Sequence, residues 1–219
     1  MESRRVHITL AVVLSFLAGN VNSLTTISLL FERSSHVTGR IADIGINFVL
    51  MPIDALFMVL IWISFVIGSY LAGILLDRVG FTLSMVFQSI YILLVAMVVG
   101  MGVSSDTPYD YGLDKAVMAL LLPLSMGFQN SLTSQLLLER TTHWTGDSTD
   151  LGIALAKGSH SKAMSLCLKI FAFIIGAAIM AYLIGIRKML PFYGLLMISV
   201  ALMITTFVGH RLNRKFVSG

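Results

Sequence analysis

The sequence predicts an all-α integral membrane protein with six transmembrane helices, arranged as two three-helix repeats of inverted topology. Three observations predict it. Of the 219 residues, 57% are hydrophobic and only 12% are charged, whereas a soluble domain carries roughly 25% charged residues. The mean hydropathy is +0.90, and the apolar residues fall in runs near the 20 or so that cross a hydrocarbon core of about 30 Å. Finally, the fifteen-residue stretch 32–46, ERSSHVTGRIADIGI, recurs 107 positions later as 139–153, ERTTHWTGDSTDLGI.

The two copies agree at Glu32/Glu139, Arg33/Arg140, His36/His143, Thr38/Thr145, Gly39/Gly146, Asp43/Asp150, Gly45/Gly152 and Ile46/Ile153. Ser34/Thr141, Ser35/Thr142 and Ile44/Leu151 are chemically close, so the pattern is an internal duplication. Two more matches fit at an offset of 108: Asn22-Ser23 with Asn130-Ser131, and FVIGSYLAG (65–73) with FIIGAAIMA (173–181). A signal peptide is rejected although Arg4 and Arg5 precede an apolar stretch, because residues 21–36 have a counterpart before the second motif.

The six expected spans are 7–30, 48–76, 81–103, 116–138, 163–186 and 190–209. With a cytoplasmic amino terminus, Arg4, Arg5, Arg78, Arg140, Lys157, Lys162, Lys169, Arg211, Arg214 and Lys215 fall inside. Arg33, Arg40, Lys115, Arg187 and Lys188 fall outside, and ten against five places both termini in the cytoplasm. The connection SSDTPYDYGLDK (104–115), with Asp106, Asp110 and Asp114 and the breakers Pro108 and Gly112, suits the outer face. Each motif follows the first span of a three-span unit. Three is odd, so the second unit enters the membrane upside down, giving repeats 1–110 and 111–219 within one membrane domain.

Polar residues interrupt spans one and four: Asn20, Asn22 and Ser23 in one, Gln129, Asn130, Ser131, Thr133, Ser134 and Gln135 in the other. An unsatisfied amide in hydrocarbon costs several kcal/mol, so these groups face a partner or a water-filled cavity. Gly19 and Gly127 beside them would let the helix loosen. The plain structural alternative is interhelical hydrogen bonding, worth about 0.6 kcal/mol each on average.

The motif segments either stop at the interface, where Glu32 and Arg33 are solvated, or fold back between the spans. Folding back would bring His36 and His143 toward the midplane from opposite faces as candidates for proton transfer or solute contact. The Thr-Gly pairs suit a turn into a helix, with Asp147 or Thr145 capping the second copy. A helix start aimed into the membrane would present free amides to an anionic group. Asp43 and Asp150, seven residues after each His, would share its face if the segment were helical.

Gly68 with Gly73, and Gly176 with Ala177, Ala178 and Ala181, form small-residue faces for packing within the monomer or across a homodimer. Cys167 is the only cysteine, which excludes an intrachain disulfide and reads as a small apolar residue. The net charge of +4 comes from residues at the ends of apolar runs and reports topology rather than nucleic-acid binding. No GxSxG, HExxH, Walker loop or paired Cys motif occurs, so the sequence points to no enzyme, metal or cofactor; a hydrolase pairing Ser34 or Ser35 with His36 ranks third among the readings, since adjacency in sequence is poor geometry for that pair.

The series Val21-Asn22-Ser23, SHVTG (35–39), GFQNS (127–131) and TTHWTGDSTDLG (141–152) resembles the YoaK-like family, domain of unknown function 1275. The resemblance covers nearly the whole chain. It implies six spans in a bacterial cytoplasmic membrane and supplies no substrate. The family usually has an acid at the position of Asn22 and Asn at those of Arg40 and Asp147. A neutral amide at Asn22 argues against ion coupling there, and Arg40 favours an anionic or polar solute.

The combined expectation is a transporter or permease-like protein moving a small polar or anionic solute between the repeats. Asn22, Ser23, His36, Thr38, Asp43, Gln129, Asn130, His143, Thr145 and Asp150 line the pathway: amides bond solute, histidines gate or exchange protons, and acids orient them. The alternative is a non-transporting scaffold, accessory subunit or sensor. A hydrated cavity reaching Asn22 and Asn130 favours the former, a dry interlocked bundle the latter.

Overall fold

A computed structural model describes residues 2–35, 37–103, 112–136 and 141–217; the His36 expectation and those for Asp106, Pro108, Asp110, Glu139 and Arg140 lie outside the described residues. The described residues are mostly helical, with no strand among them. Its elements are α1 (Glu2–Leu24), continued by a wide π turn (Thr25–Leu29), then α2 (Val37–Leu50), α3 (Pro52–Gly100) and α4 (Leu113–Leu136). They are followed by α5 (Trp144–Ala156), α6 (His160–Ala181), continued by a second π turn (Tyr182–Ile186), and α7 (Pro191–Val217).

Among the described residues five helices are long and apolar enough to cross a membrane: Val6–Leu29, Pro52–Gly100, Leu113–Gln135, His160–Ile186 and Pro191–His210. The second holds 49 residues, which at about 1.5 Å per residue would exceed twice the thickness of a hydrocarbon core. It is not one rod. Gly80 breaks it with φ 76° and ψ 175°, backbone angles at which a side chain would be strained.

The expected second span, 48–76, is displaced. α2 continues through Leu50, Met51 leaves helical geometry at φ −145° and ψ 76°, and Pro52 starts α3. Proline has no N–H to lose at a helix start and biases its predecessor toward extended backbone, so the boundary falls there. An apolar run conceals this break because both sides are hydrophobic.

Two helix pairs form the close crossings. In one, a Cβ on Gly19 would overlap the Phe173 carbonyl, and one on Gly176 would overlap the Phe16 carbonyl. In the other, a Cβ on Gly127 would overlap the Phe65 carbonyl, and one on Gly68 the Leu124 carbonyl. Adding 108 to the α1 residues of the first crossing and subtracting 108 from its α6 residues gives the second. The duplication is thus carried in the packing: the first helix of each half crosses the second long helix of the other half. Gly68 and Gly176 make these contacts inside the chain, and a Cβ on Gly73 would lie 3.9 Å from Gln135 Nε2, an ordinary contact.

Helix directions follow from other contacts. α7 runs antiparallel to α1, with Gly209 against Leu10 and Gly194 against Leu24. It also runs antiparallel to residues 81–100: His210 Nδ1 bonds Thr82 Oγ1 at 3.1 Å, the Ser199 hydroxyl donates to the Ser89 carbonyl at 2.7 Å, and Phe192 lies against Gly100. α4 opposes the same stretch, through Gln88 with Gln129 at 3.2 Å and the Tyr91 hydroxyl donating to the Leu121 carbonyl at 3.0 Å. α1 and α4 therefore run in opposite directions, and the segments that follow them leave opposite ends of the bundle.

Two charges counted in the topology comparison, Lys169 within the expected fifth span and Lys115 in the connection before the fourth, are buried. Lys169 is 0% exposed within α6, and Lys115 is 3% exposed with its Nζ 5.6 Å from the centre of the Phe57 ring. Neither reports topology as a loop residue, and without them the inside-to-outside comparison is nine against four.

Candidate functional site

The duplicated motif folds back along the helix that precedes it. In the first half the hydroxyls of Thr25 and Thr26 donate to the Asn22 carbonyl at 2.9 and 2.7 Å, and that of Ser28 to the Leu24 carbonyl at 2.8 Å. Such side-chain bonds compete with the helical ladder and accompany its widening into a π turn. The chain then reverses: Ser35 Oγ donates to Asn22 Oδ1 at 3.2 Å, and Ser34 Oγ lies 3.4 Å from Thr25 Oγ1. Asn22 lies seven residues before the last π-turn residue, Leu29, which is roughly 10 Å back along the helix.

The second half repeats the bonds to the asparagine and between the paired hydroxyls; the Ser28 bond has no counterpart, since the matched residue is Leu136. Thr133 and Ser134 donate to the Asn130 carbonyl at 3.1 and 2.6 Å, Thr142 donates to Asn130 Oδ1 at 2.9 Å, and Thr141 Oγ1 lies 3.4 Å from Thr133 Oγ1. Asn22 and Asn130, expected as solute contacts, are half-buried and use their side-chain carbonyls to hold the returning strand.

From each reversal a short helix leads away. α2 has 14 residues and α5 has 13, about 20 Å each and too short to span about 30 Å. Their amino-terminal N–H groups, which lack intrahelical acceptors and carry the positive end of the helix dipole, therefore begin beside Asn22 and Asn130. These beginnings lie toward opposite ends of the bundle.

The His-x-x-Gly spacing has a structural reason in the second copy. His143 is the residue before α5, and a Cβ on Gly146 would overlap its imidazole Nδ1, so glycine leaves room for the ring to fold over the helix start. The expected caps are not used: Thr145 is exposed inside the first turn, and Asp147 turns to α6. Thr38 lies in the first turn of α2. In the second copy Asp150 is exposed and bonds Lys162 at 3.0 Å rather than His143; Asp43 is exposed, and its expected partner His36 lies outside the described residues.

Gln129 is buried in the core as expected of an inward-facing amide, and it joins three helices. Its Nε2 donates to the Leu14 carbonyl at 3.0 Å while its Oε1 accepts from Gln88 at 3.2 Å. Ser23 is buried at 8% exposure. Replacing Gln129 with leucine leaves Gln88 Nε2 buried without this acceptor; we expect a loss of about 1–3 kcal/mol in reversible unfolding, and no loss would show that the amides are re-satisfied elsewhere.

Sequence reasoning missed the charge arrangement. The two short helices carry opposite charges at matched positions, Arg40 and Asp147. Asp147 pairs across to Lys169 with Oδ2 to Nζ at 2.9 Å, and this side chain is fully enclosed. Arg40 instead pairs within its own segment, its Nη2 donating to Glu32 Oε2 at 3.1 Å and to the Arg33 carbonyl at 2.7 Å. At offset 108 the counterpart of Lys169 is Ile61, so the first half has no matching lysine at that position. The lone lysine inside an apolar run and the acid in the motif were the available signals.

Each half thus places the start of a short helix beside an asparagine of the helix before it. No curated protein and no solved structure matches the chain. The family model described as "Protein of unknown function (DUF1275)" aligns with residues 10–209, nearly the whole chain, and the chain belongs to that family.

Proposed function

We propose that this multi-pass membrane protein is a transporter of a small polar or anionic solute, with its pathway between two inverted repeats. In this reading α3 crosses twice, as 52–79 and 81–100, giving six spans in a bacterial cytoplasmic membrane with both termini cytoplasmic. The observation that carries it is the pair of folded-back segments, which start short helices beside Asn22 and Asn130 from opposite ends of an antiparallel bundle. Broken helices whose ends meet at a repeat interface are how many secondary transporters build a solute site without exposing backbone to lipid. The chain does no covalent chemistry in this reading.

The test is solute-driven swelling of proteoliposomes, followed by light scattering with formate, acetate, phosphate, glycerol and urea. At least one solute enters faster than into empty liposomes, and the His36→Ala/His143→Ala double variant removes that entry while remaining folded. Unchanged entry in the double variant removes the histidines from the mechanism; no entry for any solute favours the second reading. That second reading, a non-transporting scaffold or sensor, draws on the glycine crossings at Gly19, Gly68, Gly127 and Gly176, which lock the bundle tightly.

A further inference from the structure

We propose that Arg40 is an oxyanion-binding residue of the first folded-back segment, taking a phosphate, sulfate or carboxylate group in exchange for Glu32. The inference deepens the transport reading by naming the chemistry of the solute. Arg40 is 5% exposed, yet among the described residues only its Nη2 has hydrogen-bond partners, Glu32 and the Arg33 carbonyl; its Nε and Nη1 are buried with none there. A guanidinium cannot shed its charge, and its unbonded N–H groups are costly away from water. It also sits in the first turn of the 14-residue α2, where free backbone amides add positive potential.

Glu32 holds the guanidinium by one oxygen, with its side chain 39% exposed. A carboxylate so placed is a weak and displaceable partner, because water competes for it. An incoming oxyanion has more acceptor oxygens to offer the unpartnered nitrogens, while Glu32 moves to solvent. The second segment offers no such site, since the matched residue is Asp147 and it faces Lys169. The two segments thus differ in role: the second is pinned to α6 by an ion pair, and the first carries the cation that a solute anion can reach by exchange.

The exchange gives the two partners opposite effects, which a purely structural pair would not. The measurement is saturable binding of radiolabelled inorganic phosphate, sulfate and acetate to the full chain in nanodiscs, each in chloride buffer of fixed ionic strength. At least one binds the wild type; Glu32→Gln binds it about tenfold more tightly, and Arg40→Gln at least about tenfold more weakly, the scale of one hydrogen bond to a charged group. Absence of saturable binding in both the wild type and Glu32→Gln overturns the proposal. So does equal or weaker binding in Glu32→Gln, which is read without relying on the folding of the Arg40 variant. Binding with this pattern but no swelling for any solute leaves the anion site standing and removes transport. Swelling driven by glycerol or urea without oxyanion binding does the reverse.

Discussion

Replacing Lys169 with methionine destabilises the folded chain by about 3–5 kcal/mol, because it removes the cation that faces the buried Asp147 carboxylate. Lys169 is fully enclosed and Asp147 Oδ2 stands 2.9 Å away, with that acid's side chain only 12% exposed, so solvent screens the pair little. Removing both charges together is a different experiment. In Lys169→Met/Asp147→Leu no ion remains to be solvated, and a buried pair exchanged for apolar groups of similar volume is often neutral or stabilising. The double variant therefore recovers most of the loss in unfolding from mixed micelles. A double variant no better than the single one would show that Lys169 serves chiefly through packing.

The second large effect is steric. Gly127→Ala places a Cβ against the Phe65 carbonyl, and Gly19→Ala places one against the Phe173 carbonyl; both obstacles are backbone and cannot rotate away. Each crossing must open, at a cost of about 1–3 kcal/mol or more per substitution. Gly45 and Gly152 are the internal controls. They are glycines of the duplicated motif, yet a Cβ on either meets nothing within 4 Å, so alanine there is neutral or stabilises by about 0.4–1 kcal/mol. Equal damage at the crossing and control positions, read as melting shifts, would mean that close approach is not what selects these glycines.

The crossings explain how the fold is held, and they were half visible in the sequence. Gly19 and Gly127 stand out beside Asn22 and Asn130, and Gly68 and Gly176 fall in matched nine-residue stretches, but pattern alone does not say which helix lies opposite. The polar residues told the same partial story. Asn22 and Asn130 were marked by their apolar surroundings, whereas their partners Ser35 and Thr142 depend on a chain reversal that periodicity does not register. The boundary at Met51 and Pro52 was concealed because residues 48–51 are as hydrophobic as the helix that follows. Asp147 with Lys169, and Gln88 with Gln129, are long-range pairs that only a fold can bring together. By contrast the helical class, the internal duplication and the family were legible, because each rests on local composition or on identity between segments.

The most direct test of the central claim, that the two folded-back segments enter the membrane from opposite sides, is labelling from one side of a sealed vesicle. The chain has a single cysteine, Cys167, so Cys167→Ser provides a thiol-free background. Met51→Cys and Lys157→Cys then mark the exposed far ends of α2 and α5. In right-side-out vesicles an impermeant maleimide labels the first at once and the second only after permeabilisation. Labelling of both positions from the same side, before permeabilisation, would contradict the inverted arrangement and the shared pathway built on it.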